Sequence, residues 1–559
     1  MLPRSKPARQ TGQGRGMPES RLRGGGILEG PAVGRVTVSP ERAMDRRDLF
    51  LPTFVIGNLA YVLVGSLHYL GVDDEGCALY GALRVLAGDL PYRDFWSVYS
   101  PGQMYLLAGA FKVFGASLLV ERAVSVAILV GGSVLAYFAA SLIFSRSGAV
   151  LTSVLWTVSI DSSRFYGNTM LSTLTLSLAA WLFLLLFLRS PGLVPLLASA
   201  LLAGVVTLFR QDFGAYNVLA ALLPLTIWYR RWIPAYVAAA VSVPAGAVVA
   251  LVVAGVPASE LMADVVWFPL TGYAAARRLP WPALIPRTGG AAPLDVLWDL
   301  VNGFRFYFPL MALIGVGVAA AWLARRGGLS RRDFEVLAVF GPLTVLFLNQ
   351  VRVRPDMAHS VPTWVPAFFL LGWLVTRLAP PAARLVLAAA GVVFGIIPLL
   401  GKAAFLAVLL LAVQVPEFTY SLPRARGITD TPARERYEAV IEYIRREVAP
   451  DEPIYVGNYR HDMGVTSDVL FYFLAERHSA TKYHELVPGV TTRSDVQASM
   501  VEDLRRARVR YVILRRDIGS EPSNESSRSS GVHLLDRYIE DHFRPVMDFG
   551  NYLVARRRE

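Results

Sequence analysis

Long apolar runs recur along most of this chain of 559 residues. A bilayer core about 30 Å thick requires roughly 20 apolar residues per helix, and runs near this length begin at 51–70 and continue as far as residue 415. We count about eleven or twelve runs, depending on whether Leu385–Val415 forms one span or is divided near Pro398 and Gly401. Because 54% of the residues are hydrophobic and only 18% are charged, the sequence predicts a polytopic α-helical membrane protein.

Composition divides the chain into three predicted parts. Residues 1–48 are rich in Gly, Arg and Pro, and we expect them to form a disordered, basic cytoplasmic tail. Residues 49–416 form the predicted transmembrane domain, which includes a long outer loop at 71–117. Residues 430–559 are richer in charge and predict a soluble α/β domain.

Within this last part, Thr431–Glu447 has the spacing of an amphipathic helix. Pro453–Gly457 and Val509–Leu514 are typical of short buried strands, separated by a helix near Val501–Ala507. This order predicts a small parallel sheet.

Arginines in short loops orient the predicted spans. The loops that we assign to the cytoplasm carry Arg146, Arg189, Arg230, Arg231, Arg325 and Arg326. The loop at 71–117 then faces outward, away from the cytoplasm. The net charge of +12 fits loops and tails that meet anionic lipid of the inner or plasma membrane, and no DNA- or RNA-binding signature indicates nucleic acid.

Four acids follow the first predicted span: Asp73, Asp74, Glu75 and, further on, Asp94. Ionisable groups at a membrane boundary are costly unless they are solvated or paired, and they often mark a function. We expect 76–87 to form a surface helix, with the first three acids at or before its start. A carboxylate here could deprotonate an acceptor hydroxyl that attacks a sugar carbon, and a phosphate leaving group would need no acid, so the transfer would be inverting. The alternative is that the acids only cap a helix and meet solvent.

Several arginines lie in loops assigned to the outer face, where the orientation rule does not expect them. Arg210 could hold a donor phosphate while Asp212 orients it, or the two could form an internal pair that stabilises a helix break. Arg352 and Arg354 suit a monophosphate or diphosphate, and His359 could assist or bind an acceptor. An anionic ligand would explain these cations. The loop at 257–303 adds Arg277, Arg278 and Arg287.

The outer loop also carries a set of short motifs. Asp74-Glu75-Gly76 is followed by Gly88-x-x-Pro-Tyr-Arg-Asp94, Pro101-Gly102 and Phe114-Gly115. This arrangement resembles the bacterial family 39-like glycosyltransferases of the GT-C superfamily, closely over about 50–145 and more loosely over the other spans. Members of this superfamily include lipid A aminoarabinose transferases and protein O-mannosyltransferases.

The resemblance implies a hexosyl- or pentosyltransferase that uses a polyprenyl-phosphate-linked sugar. The acceptor would be a lipid, glycan or protein hydroxyl at the outer face. It implies that Asp74 is the base, with Glu75 beside it and Asp73 as the rival, because the doubled Asp leaves the register open. Tyr92, Arg93 and Asp94 become candidates for substrate binding, and the C-terminal domain would lie outside.

Metal sites have no clear signature in the sequence. The chain has one cysteine, and Asp451, His461, Asp462, His478 and His484 are spaced irregularly, so we interpret them as scattered surface residues. We predict no metal ligands, although a divalent cation is compatible with the predicted chemistry.

Two other functional classes stay open from the sequence. The main alternative is a transporter or flippase of lipid-linked sugars, which would usually carry an internal repeat of spans and broken helices near the midplane. A non-catalytic scaffold that presents the C-terminal domain is the third. The polar clusters at span ends favour the enzyme.

Overall fold

The computed structural model describes residues 50–559 except 73, 162–164, 274–276, 285–291, 411–416, 464–466 and 518–524. Asp73 and Arg287 therefore lie outside the described residues, as does the predicted tail at 1–48. Unless stated otherwise, the description below concerns the part of the chain from Thr53 onward.

The described chain is mostly helical from Phe50 to Leu410. The first ten helices, as far as residue 262, are α1 (Phe50–Leu63), α2 (Asp74–Leu86), α3 (Gly102–Phe114), α4 (Leu118–Ser141), α5 (Arg146–Asp161), α6 (Thr169–Arg189), α7 (Leu193–Phe209), α8 (Gln211–Trp228), α9 (Ile233–Val253) and the short α10 (Ala258–Met262). They are followed by α11 (Pro293–Arg325), α12 (Arg331–Val353), α13 (Met357–Val375), α14 (Pro380–Gly391) and α15 (Ile397–Leu410).

Seven of the described helical segments are long and apolar enough to cross a membrane, and α1 and α7 are shorter apolar helices. The predicted polytopic α-helical membrane fold is therefore confirmed. One predicted break is not observed: α14 and α15 are joined through a π-helical turn at Val392–Ile396 and form one continuous segment. This favours the smaller of the two predicted numbers of spans.

Aromatic rings fill the core of the helical body. Trp181 of α6 makes ring contacts with Phe340, Phe347 and Phe369 of α12 and α13, at centroid distances between 5.7 and 6.2 Å. The indole nitrogen of Trp181 donates a hydrogen bond to Asn217 Oδ1. Buried polar groups inside a membrane helix bundle need such partners, because lipid offers none.

The outer loop forms α2 and α3, two helices that pack on each other and are too short to span. A helix is thus confirmed where one was predicted, with its start at Asp74, and most of its residues are buried. Its first turn carries Asp74 and Glu75, where the helix dipole favours negative charge.

The C-terminal part contains a two-stranded antiparallel pair, β1 (Phe418–Thr419) and β2 (Thr429–Asp430), and a four-stranded sheet. The sheet has the order β3 (Tyr455–Asn458), β4 (Tyr511–Arg515), β6 (Tyr552–Arg557), β5 (Phe543–Asp548). Its helices are α16 (Glu435–Glu447), α17 (Leu470–Ala475), α18 (Ser494–Arg506) and α19 (Leu534–His542).

The predicted parallel pair is confirmed, since β3 and β4 are parallel. The prediction of a wholly parallel sheet is wrong, because β5 and β6 form an antiparallel hairpin that adds to β4.

The C-terminal part packs directly on α2. Gly76 lies against the backbone of Leu470, so close that a Cβ at residue 76 would be 2.9 Å from the Leu470 Cα. The Tyr80 and Tyr472 rings stack with centroids 5.0 Å apart, and Ser479 N–H donates to the Tyr80 hydroxyl at 2.6 Å. The helix that begins with the two acids is therefore held between the helical body and the C-terminal part.

Candidate active site

A cavity of about 480 Å³ lies at the start of α2. The helical body contributes 68–72, the start of α2, 165–168 and the start of α13, and the C-terminal part contributes 485–488. This volume is within the usual range of small-molecule sites, about 300–1,000 Å³. Of the residues predicted from sequence, Asp74, Glu75, Arg277, Arg354 and His359 line it.

Asp74 is the first residue of α2 and its side chain is exposed to the cavity. Asn168 Nδ2 donates a hydrogen bond to Asp74 Oδ2 at 2.9 Å. Asn168 is itself fixed, because its Oδ1 accepts from the backbone N–H of Met170 at 2.8 Å and caps α6. A carboxylate that is solvated, oriented by one amide and placed at a helix N-terminus is suited to accept a proton from a ligand.

Glu75 has a different environment from its neighbour. Its side chain is 5% exposed, and its Oε1 lies 2.7 Å from Nη2 of Arg122. Its Oε2 accepts from the Gly71 N–H at 2.7 Å. Burial raises the pKa of Glu75; Arg122 opposes this shift and Glu121 adds to it. Glu75 was predicted with the catalytic acids, but this placement suits a residue that positions α2 rather than one that exchanges protons with substrate.

Arg122 is the cation of a buried triad with Glu75 and Glu121, whose Oε2 lies 3.6 Å from Arg122 Nη1. Its guanidinium lies 4.3 Å from the centroid of the Tyr166 ring and donates to the Tyr69 carbonyl at 3.0 Å. The sequence interpretation missed Arg122. A charge pair in the first turn of a long apolar helix, Glu121-Arg122, was the available signal.

Residues 165–168 form a tight turn over the triad. Gly167 has a φ of +67°, and a Cβ there would lie 3.2 Å from Cγ of Glu75. The Gly167 N–H donates to Ser125 Oγ, which in turn donates to Glu121 Oε1 at 2.5 Å. Only a glycine combines this left-handed backbone with so close an approach.

Arg354, Asp356 and His359 form the opposite side of the cavity. Asp356 caps α13, accepting from the His359 N–H at 2.9 Å, and it binds Arg354 Nε at 2.7 Å and His359 Nδ1 at 2.7 Å. Burial would raise the pKa of Asp356, but the contacts with His359 and Arg354 prevail and lower it to about 2. Asp356 thus remains an anion that holds the arginine and the histidine in place.

Arg352 was predicted together with Arg354, yet it does not line the cavity. It is exposed, and its Nε donates to Asn349 Oδ1 at 2.8 Å. Arg352 lies in the last turn of α12, whereas Arg354 follows the end of that helix. The two arginines therefore have different surroundings despite their spacing.

Arg210 and Asp212 also lie outside the lining of the cavity. Arg210 binds both oxygens of Asp212, at 3.1 and 2.8 Å, and donates to Gln350 Oε1 at 3.0 Å. Its guanidinium lies 4.8 Å from the centroid of the Tyr99 ring. The internal pair at the break between α7 and α8 is the alternative that this geometry favours over phosphate binding.

Tyr92, Arg93 and Asp94 form a turn rather than part of the cavity. Arg93 binds both oxygens of Asp94, at 2.9 and 2.7 Å, and Leu90 N–H donates to the same carboxylate at 2.7 Å. The hydrogen bond from Arg93 lowers the pKa of Asp94. Tyr92 is buried and donates to the Tyr99 carbonyl at 2.8 Å. Their predicted contact with substrate has no support in this placement.

A second cavity, of about 370 Å³, adjoins the first and shares His68, Tyr69 and Tyr166 with it. Lys402 of α15 reaches into it and binds Asp161 Oδ2 of α5 at 2.7 Å. The sequence interpretation missed this pair. A lone lysine in an apolar span is a signal of function, because an unpaired charge inside a membrane is costly.

The C-terminal part contains a group of residues that could hold a metal ion: Asp462, His533 and Asp536. His461, Asp462 and His484 are buried, so their interpretation as surface residues is wrong. Asp536 binds His461 Nδ1 at 2.7 Å, and Arg460 binds both oxygens of Asp462 at 2.9 and 2.6 Å. None of these residues lines the cavity at α2.

No protein-family model matches this sequence, and no curated protein matches it. Solved structures are similar. The structure of ArnT from Cupriavidus metallidurans bound to undecaprenyl phosphate has a TM-score of 0.55 and 14% sequence identity, over 92% of this chain and 98% of that chain. The apo state of the same protein has a TM-score of 0.52 and 14% identity, over 91% and 98%.

The oligosaccharyltransferase of Archaeoglobus fulgidus, tethered with an acceptor peptide that contains the NVT sequon, has a TM-score of 0.53 and 12% identity. This similarity extends over 92% of this chain and 75% of that chain. At such identities the similarity establishes architecture. The chain is a multi-pass membrane protein with the GT-C fold, in which a helical body is followed by a small sheet-containing C-terminal part.

Proposed function

We propose that this protein is an integral membrane glycosyltransferase, similar to the family 39-like enzymes. It transfers a sugar from a polyprenyl-phosphate donor to a hydroxyl of a lipid, glycan or protein at the outer face of the membrane. The observation that carries the proposal is the cavity at α2, which combines the exposed carboxylate of Asp74 with the guanidinium groups of Arg277 and Arg354 and the imidazole of His359.

Asp74 is the general base in this proposal. Its carboxylate takes the proton of the acceptor hydroxyl, and the hydroxyl oxygen forms a bond with the anomeric carbon of the donor sugar. The bond between that carbon and the phosphate oxygen breaks, and its electron pair stays on the leaving phosphate. Attack from the face opposite the phosphate inverts the anomeric centre, and only one carboxylate is needed.

The cationic side of the cavity binds the donor phosphate. Guanidinium groups pair with phosphate oxygens through two parallel hydrogen bonds and stay charged at any physiological pH. Charge develops on the leaving phosphate as its bond to the sugar breaks, so a fixed cation there stabilises the transition state more than the ground state. Asp356 supports this role because it orients Arg354 and His359.

The lipid-linked donor is supported by the membrane fold and by the similar structure of ArnT, which was solved with undecaprenyl phosphate. The short loops on the other side of the helical body carry arginines and are assigned to the cytoplasm, so the cavity at α2 faces away from the cytoplasm. The C-terminal part then lies outside as well, since it contacts α2 and lines the cavity.

An Asp74→Asn variant tests the base directly. In purified protein supplied with a panel of polyprenyl-phosphate sugars, we expect wild type to transfer sugar and Asp74→Asn to lose at least a hundredfold in kcat, with the donor KM little changed. Asp541→Asn, an exposed acid on α19, is the matched control and should keep full activity. Normal transfer by a folded, membrane-inserted Asp74→Asn protein would contradict the proposal, and lipid movement without sugar release would indicate a flippase.

A further inference from the structure

A third cavity adjoins the active cavity at α2. The two share four lining residues, Asp74, Cys77, Asn168 and Glu485. The third cavity is small, about 30 Å³. Since one water needs about 10–15 Å³ of such space, the cavity can hold a group of roughly two non-hydrogen atoms.

The linings of the two cavities differ in charge. Among the described residues, no Lys, Arg or His lines the small cavity, whereas Arg122, Arg277 and Arg354 line the large one together with the acids Glu75 and Asp356. The small cavity is instead surrounded by neutral groups and by the carboxylates of Asp74 and Glu485; the neutral polar side chains are Ser97, Tyr99, Ser100, Gln103, Asn168 and Thr169. A phosphate therefore finds cationic partners in the large cavity and none among the described residues that line the small one.

Gln103 of α3 gives the small cavity a fixed hydrogen-bond donor. Its side chain is buried, and its Oε1 accepts from Ser172 Oγ at 2.7 Å. That contact orients the amide, and Gln103 Nε2 donates to no group in the part of the chain that the structure describes. Because Gln103 lines the cavity, an oxygen of a bound ligand can accept a hydrogen bond from its amide.

Met104 of α3 lines the small cavity and packs against α2. It packs so tightly against Gly81 that a Cβ at residue 81 would lie 2.9 Å from Met104 Cε. The size of the cavity is therefore set by a side chain held between two helices.

We propose that the small cavity is the acceptor subsite and that it takes the hydroxymethyl arm of a neutral sugar. This inference rests on the proposed function. The arm has a carbon and an oxygen, which matches the space, and its hydroxyl reaches Asp74 where the two cavities meet. The sugar ring presents further hydroxyls to the surrounding serine, tyrosine and amide groups, which a serine side chain of a peptide could not do. The small cavity disfavours an anionic acceptor, because Asp74 and Glu485 line it and no described cation there offsets them.

The step balances as in the proposed reaction. The proton of the acceptor hydroxymethyl group moves to Asp74, and its oxygen bonds to the anomeric carbon in the large cavity. The electron pair of the broken carbon–oxygen bond stays on the phosphate, which is held by the cationic side. Donor and acceptor thus approach Asp74 from two differently charged compartments.

The first test compares acceptors. Full-length protein in lipid nanodiscs is given its best polyprenyl-phosphate sugar together with octyl glucoside, the 6-deoxy analogue, octyl glucuronide or a serine-containing peptide. We expect transfer to octyl glucoside and at least a tenfold lower kcat/KM for each of the other three. Equal use of the glucuronide, or a preference for the peptide, would overturn the acceptor assignment.

The second test changes the subsite. Gln103→Leu should raise the KM for octyl glucoside about tenfold and leave the KM for the donor unchanged, because a hydrogen bond to a neutral ligand contributes about 0.5–1.5 kcal/mol. Lys112→Ala, an exposed position on the same helix, is the control. Met104→Ala enlarges the cavity and should tighten binding of the 6-O-methyl ether of octyl glucoside, measured as inhibition of transfer to octyl glucoside, because the methylated oxygen has no proton to give to Asp74 and cannot act as the nucleophile.

Release of donor sugar to water without any acceptor separates the two proposals. If wild type cleaves no donor under any condition, the proposed function fails and the acceptor subsite fails with it. If the donor is cleaved but transfer is indifferent to acceptor charge and to residues 103 and 104, only the acceptor subsite is wrong. Thermal unfolding of each variant confirms that it is folded.

Discussion

The buried triad of Glu75, Arg122 and Glu121 offers a sharp test, because two substitutions in it should have very different effects. Arg122→Met removes the cation from beside two buried acids, which are 5% and 0% exposed. Glu75→Gln replaces one of the two acids with a neutral amide and leaves the pair of Arg122 and Glu121. The two substitutions are similar in size to the residues that they replace.

Removal of one partner of a buried ion pair typically costs about 3–5 kcal/mol, since the remaining charge is left in a low-dielectric environment. We expect Arg122→Met to fall in this range. Because about 1.4 kcal/mol corresponds to a factor of ten, the ratio of folded to unfolded protein should decrease roughly a hundredfold to several thousandfold. For Glu75→Gln we expect a loss of no more than about 1 kcal/mol in the free energy of unfolding, because the amide resembles the protonated carboxyl and Arg122 stays paired with Glu121.

The protonation of Glu75 gives the prediction a dependence on pH. Burial raises its pKa from 4.5 to about 8, so the folded state binds a proton that the unfolded state has released between these values. The stability contributed by this group is full below about pH 4.5 and is lost as the pH rises through about 8. Wild type should therefore become less stable from about pH 5 to about pH 8, and Glu75→Gln should lose this part of the slope.

The measurement is the inactivation half-life of detergent-purified protein at a raised temperature, since large membrane proteins seldom unfold reversibly. Each variant is assayed at several pH values by size-exclusion chromatography after heating. If Arg122→Met is as stable as Glu75→Gln, or if Glu75→Gln keeps the pH slope of wild type, the triad does not have the electrostatic role described here.

Two further predictions concern the donor side of the cavity and the contact between α2 and the C-terminal part. Arg354→Ala should raise the donor KM about tenfold to a hundredfold, since a hydrogen bond to a charged group contributes about 1.5–3 kcal/mol; Arg352→Ala, which does not line the cavity, should leave kinetics unchanged. Gly76→Ala should lower the free energy of unfolding by about 1–3 kcal/mol and shift α2, because the added methyl group meets the Leu470 backbone. Gly109→Ala on α3 is the control: no atom lies within 4 Å of its added methyl group, so the free energy of unfolding should be unchanged or higher. Inactivation half-life and limited proteolysis report both glycine variants, and equal behaviour of the two would refute the packing argument.

The helical body was predictable because each span carries its own signal. An apolar run of bilayer length is a local property of the sequence, and so is the start of α2, where acids precede an amphipathic helix. The continuity of α14 and α15 was not predictable in this way. Pro398 and Gly401 indicate a break locally, but the observed helix passes through them.

The composition of the cavity was only partly predictable, because its parts come from distant segments. Arg354 and His359 were chosen for their charge, and the structure brings them to the same cavity as Asp74. Glu485 of the C-terminal part joins them through a contact between residues about 400 positions apart in the sequence, which no local pattern indicates. Arg210 carried the same sequence signal as Arg354, yet its guanidinium is paired with Asp212 and donates a hydrogen bond to Gln350 in the interior.

Asp74 and Glu75 illustrate why charge alone could not assign the roles in the acidic loop. Successive residues of an α-helix point about 100° apart, so two neighbouring acids can face different surroundings. The tight turn at Gly167 and the ion pair with Arg122 take Glu75 into the interior, and that anchoring fixes the rotation of α2. The same rotation leaves Asp74 at the cavity beside Asn168. The buried acid thus determines where the exposed acid lies, and a substitution that releases Glu75 should lower transfer even though Asp74 itself is unchanged.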